Sequence, residues 1–385
     1  MLLFTPNQID RADSTRPDFS RSVRMNLVLF LLCSGFVHFA AAANRFRRFY
    51  LNDTVKPSWD RLLEICENNS SSFVTLYDDD DAKSLEEFAQ APPFSSLWLG
   101  LRRNLENVTT WSNGDPYTFN LTNVTVKREE QRCGAVENNK YTDFGCNKSL
   151  HFMCYEGNNY HLIDHMKKDW CQAQQYCRRH FKDLVSIHNG TQKKQVVEEG
   201  RGKTFWIGLL HDEWEWQDGS CSTYRTWLKN RVPSEDCTAQ LNSSHELYGY
   251  GCGNEARSLC SKGNVRIVVV RQNLTWESAL DYCLANHSGL LWIEDEDDQD
   301  DVVEILKTLK VEGPLWIGLR QNPVFGFWIW SDRTVTYSNW ENDRTPEMPS
   351  SENCGVINVT SSRWQDEDCF KLHQFLCEEE ISFIN

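Results

Sequence analysis

Long apolar runs are scarce in this 385-residue chain. Only Leu27 to Phe39 is apolar enough to weigh as a membrane segment, and it is short for a span and carries His38. Basic charge is short as well. Against 55 Asp and Glu stand 40 Lys and Arg, a net charge of −15, and nucleic-acid binding needs the opposite sign. The histidines are scattered, and neither a nucleophile motif nor a phosphate loop occurs. Glu352 and Asp366 are the one carboxylate pair to consider for acid–base work, and nothing beside them completes a catalytic set. The expectation is a binding protein and not an enzyme.

The N-terminus points to export. Residues 1–24 are polar, carry Arg16, Arg21 and Arg24, and read as a disordered extension, with Met25 as the functional start. From Met25, an apolar core ends in Ala40 to Ala43, so residues 25–43 read as a signal peptide cleaved near Ala43. The product is then secreted, with no membrane span; the rival is a signal-anchor holding it at the cell surface. Twelve Asn-x-Ser/Thr sequons, from Asn52 to Asn358, imply heavy glycosylation of a secreted chain. Of fifteen cysteines, Cys33 leaves with the signal peptide, and an even fourteen remain for disulfides in an oxidising compartment.

What the chain has in abundance is repetition. Ser58 to Cys66, Asp169 to Cys177 and Thr275 to Cys283 each place a Trp seven residues before a Cys on one face of a helix. A buried-strand signature follows each: WLGL at Trp98, WIGL at Trp206 and WIGL at Trp316. Next comes a Trp-rich hairpin (Trp111, Trp214, Trp328), then cysteines of which the last two always lie eight apart. A period of about 110 residues makes each repeat a domain: 46–155, 159–261 and 264–379. The linkers, Tyr155 to Asn159 and Ser261 to Asn264, are short.

The repeats make the disulfides arguable, helix Cys to last Cys and the middle two together. That gives Cys66–Cys154, Cys133–Cys146, Cys177–Cys260, Cys237–Cys252, Cys283–Cys377 and Cys354–Cys369, with Cys171–Cys221 left over. Two acidic runs, Asp78 to Asp81 and Glu294 to Asp301, precede second-helix patterns and are read as complements to the helix dipole.

Together, Trp-x6-Cys, WIGL, the Trp-rich hairpin and the closing cysteines resemble the C-type lectin-like domain. The tandem arrangement is similar to the extracellular part of mannose-receptor-like proteins. The resemblance implies an α+β fold, three domains in tandem, each with two helices, a small antiparallel sheet and a disulfide-stapled loop region. It also implies calcium in the loops and sugar on the calcium, since calcium takes six to eight oxygens and leaves sites for vicinal hydroxyls. The first unit lacks those oxygens, with Gln131 before Cys133, and the second keeps only Glu235. The third offers Thr345, Glu347, Glu352, Gln365 and Asp366 as metal ligands, with Glu347, Glu352, Gln365 and Asp366 also touching sugar. Thr345-Pro346-Glu347 puts the neutral group first, the galactose-type order. The expected function is extracellular recognition, by weak calcium-dependent carbohydrate binding through domain 3 or by calcium-independent binding of cell-surface or extracellular proteins.

Overall fold

The computed structural model describes residues 45–52, 56–69, 71–89, 96–105, 108–119, 121, 131–230, 232–241, 245–322, 324–346 and 353–381. The expected signal peptide therefore lies outside the described residues. In chain order, the first half of unit 1 holds β1 (Arg48–Asn52), α1 (Trp59–Asn68), β2 (Ser72–Phe73), α2 (Asp79–Ala89) and β3 (Ser96–Arg103). Its second half holds β4 (Thr109–Trp111), β5 (Arg132–Glu137), β6 (Lys140–Gly145) and β7 (Leu150–Glu156). Unit 2 begins with β8 (Asn159–Lys168), α3 (Trp170–His180), β9 (Asp183–Leu184), α4 (Gly190–Glu199) and β10 (Phe205–His211). It closes with β11 (Trp214–Trp216), β12 (Cys237–Leu241), β13 (Leu247–Tyr250) and β14 (Ser258–Lys262). Unit 3 opens with β15 (Val265–Leu274), α5 (Trp276–Asn286), β16 (Gly289–Leu290) and α6 (Glu296–Thr308). It ends with β17 (Pro314–Gln321), β18 (Trp328–Trp330), β19 (Asn353–Asn358), β20 (Arg363–Asp368) and β21 (His373–Glu380).

The repeated motif explains why each first helix sits where it does. Its Trp opens the helix and donates its indole N–H to the repeat's buried strand: Trp59 to the Leu99 carbonyl, Trp170 to Ile207, Trp276 to Ile317, at 2.8–2.9 Å. The strand's own Trp replies, with Trp98 donating to Pro57, Trp206 to Lys168 and Trp316 to Leu274, just ahead of the helix. All six indoles are at most 2 % exposed, so each N–H is satisfied where water is excluded. Asp169 and Thr275 cap their helices from the side chain, onto the backbone N–H of Gln172 and Ser278. The strand glycine is needed for approach: a Cβ on Gly100 would lie 2.7 Å from Phe73 and one on Gly208 2.6 Å from Ser112.

Unit 3 draws every strand of its sheet from one repeat, with Phe46 of unit 1 inserted into its core. Its sheet runs β15-β21-β17-β19-β20, with β16 on β21 and β18 folded back on β17. Units 1 and 2 build the same layout by exchange. One body has the order β6-β5-β10-β7-β8, with β9 on β7 and β4 on β10, so it joins the second half of unit 1 to the first half of unit 2. The complementary body pairs the remaining halves, in the sheets β11-β3-β12-β13 and β1-β14-β2.

The disulfides follow the exchange and correct two expected pairings. In place of Cys66–Cys154 and Cys177–Cys260 the structure forms Cys66–Cys260 and Cys154–Cys177, with Cα separations of 5.5 and 5.3 Å. A helix cysteine still bonds to a last-strand cysteine, but that strand comes from the other repeat. Cys133–Cys146, Cys237–Cys252, Cys283–Cys377 and Cys354–Cys369 each stay within one unit. Cys171–Cys221 ties the two exchanged bodies together.

Loop chemistry accounts for the exchange. In unit 3 the turn after β17 is closed by Asn322 and Phe327, with the Asn322 N–H on the Phe327 carbonyl at 2.9 Å. In unit 2 only Asp212 and Glu213 separate β10 from β11. A two-residue reversal needs positive φ, which Gly or Asn supplies, and neither residue adopts it. The strand therefore runs straight on beside the crossing from β3 to β4. The Asp212 N–H meets the Val108 carbonyl at 2.9 Å, and the Asn104 N–H meets Glu213 at 2.7 Å. Conversely, the stretch expected as a linker, Tyr155 to Asn159, is a tight hairpin turn between β7 and β8, with Gly157 at φ +59°. Gly263, at φ +96°, begins the true linker to unit 3.

Unit 3 meets the others through ion pairs. Arg266, 6 % exposed, binds Asp78, Asp81 and Glu379. Arg45 reaches Asp298 at 2.9 Å and Glu378 at 2.8 Å, and Arg48 pairs with Asp301. The two acidic runs do stand at helix starts, Asp78 accepting from the Asp81 N–H and Asp295 from that of Asp298. They also supply the carboxylates of this joint.

Candidate functional site in the third unit

The loop face of unit 3 rests on a cluster of tilted and edge-on indoles. Trp328 and Trp340 have ring centroids 4.5 Å apart, and Trp364 stands edge-on to Trp340 at 5.8 Å and to Trp330 at 5.4 Å. These side chains are nearly or fully buried, so they fix the loops that carry the expected ligands. The Trp328 indole donates to the Pro346 carbonyl at 3.4 Å, which holds the end of the segment reaching Thr345.

Of the five expected ligands, Glu347 and Glu352 lie outside the described residues. Thr345 is exposed. Gln365 and Asp366 are neighbours on β20, opposite Val356 and Gly355 of β19. The Gln365 side chain is engaged at both ends: it accepts from Asn358 at 3.3 Å and donates to Glu341. Asp366 is exposed and accepts from Asn353 at 2.9 Å. Among the described residues no three acidic, His or Cys side chains gather in a metal-holding group. The described part of the set thus offers the Asp366 carboxylate, bonded to Asn353, and the Gln365 amide oxygen, which accepts one hydrogen bond from Asn358. With Glu347 and Glu352 outside the described residues, these donors are only part of the six to eight oxygens that calcium takes.

Beside these residues the surface is apolar. The turn between β17 and β18 exposes Val324 (77 %), Phe325 (68 %) and Phe327 (53 %), and the two rings stack at 6.0 Å and 15°. Phe327 borders an open groove whose walls are Trp328, Trp340, Val335 and Pro346, with Thr345 at its rim. The Trp-rich hairpin expected from Trp328 does not include this tip. The signal was Pro-Val-Phe-Gly-Phe at 323–327, an apolar turn where a polar one is the rule. Around the face, the Arg333 guanidinium holds the Asp332 carboxyl below its ordinary range, and burial raises the Tyr337 hydroxyl.

In the other two units, Gln131 donates to Asp212 at 2.9 Å, and Glu235 is an exposed loop residue packed on Gly249.

The profile of the lectin C-type domain matches residues 55–156, 166–262 and 272–379. The chain belongs to this family. As a tandem, mannose-receptor-like member it is 21 % identical to the bovine secretory phospholipase A2 receptor over 420 residues, covering 84 % of this chain and 28 % of that one. To human lymphocyte antigen 75 it is 25 % identical over 273 residues, 60 % of this chain and 15 % of the relative. To human C-type mannose receptor 2 it is 36 % identical over 112 residues, 29 % of this chain and 7 % of the relative. The lectin C-type chain thus spans between 7 and 28 % of the length of these relatives. Such domains are typically non-enzymatic and bind glycans or proteins. No helix among the described residues is long and apolar enough to cross a membrane.

Proposed function

We propose that the chain is an extracellular recognition protein, secreted after cleavage near Ala43 and glycosylated at its sequons. It grips a protein partner through the third unit without calcium. The observation that carries this reading is the stacked, exposed pair Phe325 and Phe327 at the lip of the Trp328–Pro346 groove. Aromatic side chains are enriched at the cores of protein interfaces, because they bury much area for little lost rotamer freedom. The test is binding of the full chain to an array of extracellular domains, with calcium and with chelator. Binding should persist in chelator and fall at least about tenfold in Phe325→Ser/Phe327→Ser, the loss of one anchor being worth about 1.4 kcal/mol or more. Binding that vanishes in chelator and ignores the double substitution overturns the reading.

The second reading is a weak calcium-dependent glycan site on Thr345, Glu347, Glu352, Gln365 and Asp366. The exposed Asp366 carboxylate favours it. A glycan array with and without chelator separates the two. On this reading galactose is preferred to mannose, Asp366→Ala abolishes binding and Thr345→Gln strengthens it.

A further inference from the structure

The joint between the first and third units encloses a cleft of about 270 Å³. Its apolar lining comes from both units, Phe49 and Phe88 from the first, Ile267 and Leu309 from the third. Each pair is backed by its own core: Phe49 and Phe88 pack on the cluster around Leu85, Ile267 and Leu309 on that around Leu306. None of the four is fully buried. The Phe49 and Phe88 rings stand 6.0 Å apart at 57°. Next to Phe88 and Leu309, Lys310 of unit 3 reaches Glu87 of unit 1 at 2.8 Å and links the two sides. The charged part of the lining is already paired. Arg47 binds Asp81, Arg48 binds Asp301, and Arg266 binds Asp78, Asp81 and Glu379. Asp80 binds Arg271, and Glu304 is an exposed side chain. A charged molecule entering the cleft would lose water and meet buried charges that already hold partners. An uncharged apolar one has no such cost and covers the four part-exposed apolar side chains.

We propose that this cleft binds a small uncharged apolar molecule, a single ring with a short tail lying between Phe88 of unit 1 and Leu309 of unit 3. The size follows from the volume: an apolar cavity of about 150 Å³ takes benzene, and this one leaves room for a tail. The site has the character of small-ligand pockets, which are lined mainly by apolar side chains and lie preferentially where domains meet. Bound there, the ligand touches both units at once and holds α2 and α6 together.

The probe is 2-phenylethanol, with 2-phenylethylamine and 3-phenylpropionate as bodies of like size that carry one charge of either sign. Each is titrated at millimolar concentration into the purified full chain and followed by calorimetry and by hydrogen exchange. The alcohol should bind saturably and at least about fivefold more tightly than either ion, the difference reflecting a charge left without a partner. It should also slow amide exchange in α2 and α6 together, since a ligand held only by the closed joint stabilises it. Ile305→Trp places a larger ring in the cleft lining and should weaken alcohol binding at least about tenfold. The exchange measurement needs no substitution, so it decides the matter even where that variant folds poorly. No saturable binding of the alcohol overturns the proposal. So do equal affinities for the three probes, or slowed exchange that leaves out either α2 or α6.

Discussion

Unit 3 and the pair formed by units 1 and 2 realise one sheet order in two ways. In unit 3 all strands come from one repeat, and β18 returns on β17. In the pair, β4 returns on β10 and β11 on β3, each from the other repeat. The difference teaches that the half-unit is the element that carries the folding information. A Trp-led helix with its strand, and a cysteine-stapled strand pair, fit one another whichever repeat supplies them. Which halves meet is left to the turns: six residues from 322 to 327 permit closure, whereas Asp212-Glu213 does not.

The largest effect that can break this comparison is covalent. A protease site placed in the Gly157–Asn158 turn cuts between the first two repeats. With Cys66–Cys260 and Cys154–Cys177 in place, the two fragments should stay joined on a non-reducing gel and separate only on reduction. Fragments that part without reductant mean that each unit closes on itself. Widening the Asp212-Glu213 connection with the six residues of 322–327 should shift the pairing toward Cys66–Cys154, read by peptide mapping.

Next in size are the indoles. Trp316→Ala should cost about 3–5 kcal/mol in unit 3, as large core truncations do. Trp206→Ala should cost as much, but hydrogen exchange should rise in strands of unit 1 (β5, β7) as well as unit 2, since its body spans both. Exchange confined to unit 2 would contradict the shared body. The joint with unit 3 comes third. Arg266→Met removes the buried guanidinium shared by Asp78, Asp81 and Glu379 and should cost about 3–5 kcal/mol in chemical denaturation. Arg271→Met, which loses only an exposed pair with Asp80, should cost under about 1 kcal/mol.

Smaller than the loss of Arg266 is the effect of titration at Asp169. Burial, aided by Glu379, raises its carboxyl from 3.8 to about 6, although it caps α3. Between those values the folded chain holds a proton that the unfolded chain releases, so this group's contribution to stability falls as pH rises through that window and is level above it. Asp169→Asn keeps the cap and removes the ionisation. Stability should rise at pH 7 by on the order of 1 kcal/mol, read as a higher Tm, and the gain should shrink toward pH 4. A gain independent of pH would assign the effect to packing.

The same contrast marks how far the sequence could be read. Helices, buried strands and their reciprocal indole bonds are local or near-local in pattern, so three Trp-x6-Cys copies announce them. The hairpin bridges Cys133–Cys146, Cys237–Cys252 and Cys354–Cys369 are short-range in the same way, with separations of 13 to 15 residues. Cys66 has equivalent partners in every repeat, and no periodicity distinguishes Cys154 from Cys260. Only the missing turn residue at 212–213 carries that choice. At the candidate site, the adjacency of Gln365 and Asp366 was visible, but not that Asn358 and Glu341 take up the Gln365 amide. Those partners stand 7 and 24 residues away and meet it only across the folded loops.

The linker at Asn264 has a mechanical consequence. The Asn264 N–H bonds to the Arg45 carbonyl at 3.1 Å, and its own carbonyl receives the Ile381 N–H at 2.8 Å. The strand leading in, the junction between repeats and the strand leading out thus converge on one residue. Tension applied between Arg45 and Ile381 loads this small knot of backbone bonds first. The repeats hang to the side of the line of force, and a pull on the chain reaches their sheets only after the knot has given way.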